Sequence, residues 1–381
     1  MFKEIYRDHV INLRQNQIYR ELPKLIHDSN SYLNFAGNDY LGLSTNPLLI
    51  QAAKDAAVKY GIGSTGSRLL SGNSEIFHSL EKKIAADKNT ESALILNSGF
   101  QANISVISCL LNKKILKNQA IVFCDRLNHA SIYQGIFLSG AELVRYGHND
   151  MQQLTDLIKK YENDIRPKFL ITETIFGMDG DILHIQDIVN IAKKNNIFLY
   201  LDEAHATGVI GKKGYGLSTL IDLSEISYII MGTFSKALGV SGAYIACNEY
   251  LKEFIVNSCS GFIYSTANSP AVIGAASTAW DFIKDLTVER RRLFDLSNYL
   301  RSRLNSAGFN TGTSQTNIVP IILGKEEIAL RAFNYLLEQK IILSCIRPPS
   351  VPPGSARLRI ALNVKHTEGD VDRLINAVKF I

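Results

Sequence analysis

Read from its first residue, the chain alternates between two hydrophobic periods. The opening fifteen residues place apolar positions at helical spacing and predict an amphipathic helix, followed by a loop and a short strand at Tyr32–Phe35. From about residue 48 to 280, short apolar runs alternate with stretches of 3.6-residue periodicity. Seven runs predict strands: Ala93–Asn97, Ala120–Cys124, Glu142–Tyr146, Phe169–Thr174, Phe198–Asp202, Tyr228–Gly232 and Ala243–Cys247. Ile185, Ile188, Val189 and Ala192 make the stripe of a helix lying on a sheet. Alternating βα units imply an α/β fold with a largely parallel sheet covered on both faces. One link breaks that rule. Only about ten residues separate Gly232 from Ala243, and a parallel crossover needs a dozen or more. The last strand should therefore run antiparallel to its neighbour, with Lys236 in the connection.

Past residue 285 the texture changes. A long charged helix (Val288–Ala307) leads to a strand at Ile318–Ile322, a helix at Glu326–Gln339, strands at Ile341–Ile346 and Ala356–Leu362, and a closing helix. A chain of 381 residues exceeds the roughly 250–300 at which one core stops growing, so two domains are expected. We divide it into an N-terminal arm (1–45), a large α/β domain (46–285) and a small C-terminal α+β domain (286–381). The Pro-rich link Arg347–Gly354 reads as a rigid loop.

Charge and cysteine content narrow the class. The net charge of +5 is spread along the chain without a dense basic run, so no nucleic-acid partner is expected. Cys109, Cys124, Cys247, Cys259 and Cys345 are scattered, odd in number and without CxxC spacing, which fits neither a disulfide framework nor a zinc site, and no metal is expected. The start of the chain carries charges from its third residue, and no apolar run approaches the ~20 residues of a membrane span. A soluble, cytoplasmic protein is the expectation.

The stretch GIGSTG, Gly61 to Gly66, satisfies the G-x-G-x-x-G pattern of dinucleotide sites. That pattern has meaning only between a strand and a helix start. Here it follows a helical stretch and no βαβ unit frames it, so it reads as a loop whose backbone can approach a ligand closely.

The chemistry concentrates in two segments. FLYLDEAHATG is an apolar strand ending in Asp202, with His205 three residues on; YIIMGTFSKALG is a second strand leading to Thr233, Ser235 and Lys236. Both set polar residues just beyond the carboxyl ends of strands, where open α/β sheets bind ligands. Taken singly, each has an ordinary explanation: a helix cap, a satisfied polar group, a solvated amine. Taken together, an acidic residue that could keep a pyridine nitrogen protonated and a partly desolvated lysine point to pyridoxal chemistry.

These segments resemble the fold-type I pyridoxal-phosphate enzymes, and among them the α-oxoamine synthases. The resemblance runs nearly end to end, through NFAGNDYLGL (Asn34–Leu43), GSTGSRLLSGN (Gly63–Asn73), NSGFQAN (Asn97–Asn103), DRLNHASI (Asp125–Ile132), ETIFGMDGD (Glu173–Asp181), LDEAHATG, GTFSKALG, YSTANSP (Tyr264–Pro270) and RPPSVPPGSARLRI (Arg347–Ile360). It implies a seven-stranded, mostly parallel sheet with one antiparallel strand, pyridoxal 5'-phosphate as cofactor, and a homodimer with shared active sites. SRLLSG and RPPSVPPGSARLRI most resemble the member that condenses L-alanine with a pimeloyl thioester, carried on coenzyme A or on a carrier protein. Two alternatives stand beside it: a sister synthase such as a glycine C-acetyltransferase, and a non-catalytic subunit of the same fold.

By that resemblance Lys236 would carry the cofactor as a Schiff base and act as the base on the amino acid's Cα. Asp202 would pair with the pyridinium nitrogen, His205 would bond the phenolic oxygen, and His129 would lie on the ring. Gly99 and Phe100, opening a helix, and Thr233 would hold the phosphate, with Thr266 reaching the neighbouring subunit's phosphate. Arg347 would clamp the amino-acid carboxylate, while Arg20, Asn38, Ser67 and Ser350 would lie near substrate. Gly177 stands where the family usually has a serine, so a water or a neighbouring side chain must replace a hydroxyl there, with slightly weaker cofactor binding.

Overall fold

The computed structural model describes residues 2–15, 19 and 32–381. Its centre is a seven-stranded sheet. In chain order the strands of the protein are β1 (Leu33–Asn34), β2 (Ser92–Leu96), β3 (Ile121–Asp125), β4 (Glu142–Tyr146), β5 (Lys168–Glu173), β6 (Phe198–Asp202), β7 (Tyr228–Thr233), β8 (Ala243–Cys247), β9 (Ile318–Gly324), β10 (Ile341–Ile342), β11 (Ser344–Ile346) and β12 (Ala356–Ala361). The large sheet has the order β2-β8-β7-β6-β5-β3-β4. Pairs β6/β7, β5/β6, β3/β5 and β3/β4 are parallel, whereas β8 runs antiparallel to both β7 and β2. The seven predicted strands are all present, and the short link does reverse the chain.

Strands such as β3 and β8 are buried along their whole length, because helices cover both faces and leave no solvent side for polar residues. The link between β7 and β8 stays short through its own turns. Val240 N–H donates to the carbonyl of Phe234, and Gly239 N–H to that of Lys236. Gly239 has φ of +68°, and a Cβ there would lie 2.8 Å from the carbonyl carbon of Leu43, so this turn requires glycine. The direction of the strands sets the consequence. The carboxyl ends of β2, β3, β5, β6 and β7 lie on one edge of the sheet, and every loop carrying a candidate residue from Gly99 to Lys236 leaves from that edge.

A second, three-stranded antiparallel sheet has the order β11-β12-β9 and follows the 20-residue helix Thr287–Ser306. The closing helix Glu368–Val378 starts with a reciprocal cap between Thr367 and Asp370. One expectation is corrected. Ile341–Ile346 reads as a single strand, but β10 pairs in parallel with β1 while β11 pairs with β12. The GIGSTG stretch is a loop that does not lead into a helix; the next helix begins at Glu75. Among the described residues no helix is long and apolar enough to cross a membrane.

Candidate active site

Two hydrogen-bonded networks meet at the carboxyl edge of the large sheet. The first holds Asp202, the last residue of β6, which is buried. Its Oδ2 accepts from Asn103 Nδ2 at 2.8 Å and its Oδ1 from the N–H of Ala204 at 2.8 Å. Asn103, on the helix Gly99–Leu110, is itself held by the hydroxyl of Tyr200, which donates to its Oδ1 at 2.9 Å. The same amide donates to Ser131 Oγ at 2.9 Å, and Ser131 Oγ lies 2.7 Å from His129 Nδ1. His129 caps the helix Ala130–Ser139, and its main-chain N–H donates to the buried carboxylate of Glu173 at the end of β5. A chain of four side chains therefore ties the orientation of Asp202 to that of His129.

The second network holds His205. Its Nδ1 is 2.7 Å from the hydroxyl of Tyr40. Arg359 of β12, buried, donates from Nη2 to Asn38 Oδ1 at 3.1 Å and to the Tyr40 oxygen at 3.4 Å, and from Nε to the carbonyl of Gly177 at 2.6 Å. The small sheet thus reaches into the site built by the large one.

Lys236 enters through charge. Its ammonium is pulled down to about 8, chiefly by burial and further by Arg359, against the pull of Asp202 and Glu173. A lysine so placed is substantially uncharged just above neutral pH, the condition for a nucleophilic amine. Burial, followed by the charges of Lys236 and Arg359, pushes His205 well below the usual imidazole range, so it is neutral. His129 is lowered by burial and by Lys236, with Asp202 opposing. Glu173 is pushed well up by burial and by the Asp202 charge beside it. These mutual effects place Lys236, Asp202, Glu173, His129, His205 and Arg359 in one cluster.

The remaining expected residues border it. A Cβ on Gly99 would lie 3.6 Å from Thr233 Cβ, so the first N–H groups of the helix Gly99–Leu110 lie beside the Thr233 side chain, a combination suited to phosphate. Phe100 meets His129 edge-on with ring centroids 6.4 Å apart. Ser67 and Thr266 pair as a β-bridge, and Asn97 Nδ2 donates to the carbonyl of Thr266 at 2.7 Å. Asn38 is brought in by Arg359. Arg347 and Ser350 share the loop after β11, closed by the Ser350 N–H donating to the Arg347 carbonyl at 3.0 Å. Arg20 lies outside the described residues.

Sequence reasoning missed Tyr40, Asn103, Glu173, Tyr200 and Arg359. Glu173 obeys the rule that picked out Asp202, an acid closing an apolar strand. Arg357 and Arg359 alternate with Leu358 and Ile360, which reads as a solvent face, yet both arginines are buried. Arg291, Arg292, Asp295 and His366 line a groove of about 910 Å³, but the titratable groups of the cluster converge at the sheet edge and not there.

The donor set fits pyridoxal phosphate: a buried, doubly bonded carboxylate, a half-buried amine of lowered proton affinity, two imidazoles, and helix N–H groups beside a hydroxyl. The chain belongs to the aminotransferase class I and II family, whose model matches residues 30–378. Its architecture is that of the fold-type I pyridoxal-phosphate transferases. It is 42% identical over 363 residues to an 8-amino-7-oxononanoate synthase of Gluconacetobacter diazotrophicus, covering 94% of this chain and 90% of that one. It is 44% identical over 346 residues to a protein of Paramagnetospirillum magneticum assigned the same name putatively, covering 91% and 87%. Among solved structures, an 8-amino-7-oxononanoate synthase from Francisella tularensis superposes with a TM-score of 0.80 at 29% identity, covering 92% of this chain and 98% of that one. A serine palmitoyltransferase from S. paucimobilis with bound PLP–myriocin aldimine superposes with 0.89 at 26% identity, covering 98% and 96%.

Proposed function

We propose that the chain is a pyridoxal-phosphate-dependent acyltransferase, an 8-amino-7-oxononanoate synthase. It joins L-alanine to a pimeloyl thioester, on coenzyme A or a carrier protein, with loss of carbon dioxide, giving 8-amino-7-oxononanoate for biotin biosynthesis. The observation that carries the reading is the convergence of Lys236, Asp202, His129 and His205 at one sheet edge in a chain 40–44% identical to proteins of that name. When bound, pyridoxal phosphate supplies an aldehyde for amines and a ring that accepts electrons from the neighbouring carbon.

The chain's own residues do the rest. Lys236 would hold the cofactor through its uncharged amine and would take the Cα proton of alanine. Asp202, fixed by Asn103, would pair with the pyridine nitrogen. His129 would lie on the ring, and neutral His205 would donate to its phenolic oxygen. Gly99, Phe100 and Thr233 would hold the phosphate. Arg347 would take the carboxylate of alanine, Asn38, Ser67 and Ser350 would act near substrate, and the resemblance assigns Arg20, outside the described residues, to the acyl substrate. The enzyme works as a homodimer. Ile62, Leu70 and Tyr264 are each more than three-quarters exposed and lie close in sequence to Ser67 and Thr266, so a second copy would bury them and carry Thr266 to the neighbouring phosphate.

Two measurements test the reading. The purified protein should show the visible absorption of a lysine-bound cofactor, changed by L-alanine and changed again by pimeloyl-CoA. Steady-state rates should favour pimeloyl over acetyl and palmitoyl thioesters, and alanine over glycine and serine. A preference for serine with a palmitoyl thioester, the pair suggested by the name of the other structural neighbour, would overturn it.

A further inference from the structure

The loop that carries Gly177 is held on several sides. Ile175 and Ile182 pair across it as a β-bridge, Gly180 N–H donates to the Phe176 carbonyl at 2.8 Å, and Arg359 Nε binds the Gly177 carbonyl at 2.6 Å. Facing Gly177 is the buried imidazole of His205. A Cβ built on Gly177 would fall far inside contact distance of His205 Nε2 and 3.0 Å from both Cδ2 and Cε1. The ring occupies the room that any side chain at 177 would need.

His205 is fixed on its other side as well. Tyr40 is fully buried, and its single hydroxyl proton has two acceptors, Asn38 Oδ1 at 3.1 Å and His205 Nδ1 at 2.7 Å. Asn38 Oδ1 already receives Arg359, so the nearer nitrogen takes the proton. A neutral imidazole that accepts at Nδ1 carries its own proton on Nε2, on the side of Gly177. Neither the backbone at 177 nor Tyr40 is free to yield, so a side chain at 177 must turn the imidazole away from Tyr40.

We propose that Gly177 is a positioning residue: its missing side chain admits the His205 ring and thereby sets the Tyr40–His205 hydrogen bond and the Nε2-protonated form. The proposal deepens the functional reading above, in which His205 donates to the cofactor's phenolic oxygen, and it rests on that reading. It also reverses an expectation. If the glycine were merely a lost hydroxyl, serine would strengthen the site; here serine displaces the histidine.

The test uses the holoenzyme and four variants: Gly177→Ala, Gly177→Ser, Tyr40→Phe and the double variant Gly177→Ala/Tyr40→Phe. Three quantities are read: the dissociation constant of pyridoxal phosphate, the pH midpoint of the visible band, and the ¹⁵N shifts of the His205 ring in cofactor-free protein. Both Gly177 variants should weaken cofactor binding by about tenfold, the scale of one lost buried hydrogen bond. They should move the pH midpoint in the same direction as Tyr40→Phe, and the double variant should exceed the worse single change by no more than about twofold, because all three remove one bond. Gly177→Ser binding the cofactor as tightly as the parent, with an unmoved midpoint, would overturn the proposal, as would full additivity. If the Gly177 variants do not fold, Tyr40→Phe alone decides: its His205 shifts should leave the Nε2-protonated pattern, and unchanged shifts refute the coupling. A parent protein that binds no pyridoxal phosphate would sink the functional reading, while the ring shifts would still judge the role of Gly177.

Discussion

His148 offers the sharpest perturbation outside the catalytic cluster. It follows β4 and joins two loops: Nδ1 lies 3.1 Å from Asp125 Oδ1, and Nε2 lies 2.8 Å from Asp181 Oδ2. Both carboxylates are buried, and Phe176 packs edge-on against the ring at 4.4 Å. Asp125 stands four residues before His129 and Asp181 four after Gly177, so this imidazolium pins the loops that carry both. Burial alone would lower its proton affinity, but the bonds to Asp125 and Asp181 push it up to about 10. Against an unfolded value of ~6.5, at ~1.36 kcal/mol per pH unit, that corresponds to roughly 5 kcal/mol as an upper figure. Breaking a buried pair by removing one partner costs about 3–5 kcal/mol, so the two routes agree. Because the folded value lies above the unfolded one, the stabilisation is complete below about pH 6.5 and is lost as pH rises through about 10. Thermal midpoints of the parent and His148→Leu, measured between these limits, should differ most at the acid end and converge toward the alkaline end. Amide exchange over residues 126–131 and 174–181 should quicken in the variant, since local opening reports these loops directly. His148→Gln, which can still donate to one carboxylate, should recover part of the loss. A pH-independent gap, or one below about 1 kcal/mol, would refute the account.

Other outcomes follow from the same geometry. Lys236→Ala should abolish the visible band and lower turnover by roughly 10²–10⁴-fold, the range for a positioned proton-transfer group. In the cofactor-free parent, the rate of cofactor capture should rise with pH and reach half its plateau near pH 8, where stopped-flow absorbance can follow it. Asn103→Ala should lower kcat by about tenfold to a hundredfold, the effect of a lost hydrogen bond to a charged group, with little change in KM; Tyr200→Phe should do the same more weakly. Lys88→Met should destabilise the fold by about 3–5 kcal/mol in denaturant titration, because it leaves the fully buried carboxylate of Glu203 without its counter-charge.

The large sheet was legible because burial on both faces writes a strand as an unbroken apolar run. Each predicted strand lies within one residue of its place, and the ten-residue link before Ala243 carried the one reversal. The split of Ile341–Ile346 was not legible. Both halves are apolar, and what separates them is the partner each meets, Leu33–Asn34 for one and β12 for the other. The site divides along the same line. Asp202 and Lys236 stand beside strand ends, where local pattern and general sheet geometry suffice. Tyr40 is 165 residues from His205, and Arg359 is 182 from Gly177, so no local pattern could join them. Arg359 was further disguised, since alternation within β12 looks the same whether the second face meets water or a buried carbonyl.

The two networks differ in what they hold still. Tyr200, Asn103 and Ser131 fix Asp202 and His129 from within the large sheet and its helices. Arg359, Asn38 and Tyr40 fix His205 from the small sheet and the segment beside β1. Lys236 lies between them and is governed by charge: Asp202 and Glu173 favour its ammonium, while burial and Arg359 oppose it. On the proposed function, that division suits a residue that would bind, let go and carry a proton within one cycle, between partners held by hydrogen bonds. It also separates the effects of mutation. Loosening the first network should act on the electron-accepting ring, and so on kcat. Loosening the second should act on the phenolic oxygen, and so on the colour and affinity of the cofactor. Through Arg359 of β12, the small sheet is hydrogen-bonded directly into the network that holds His205.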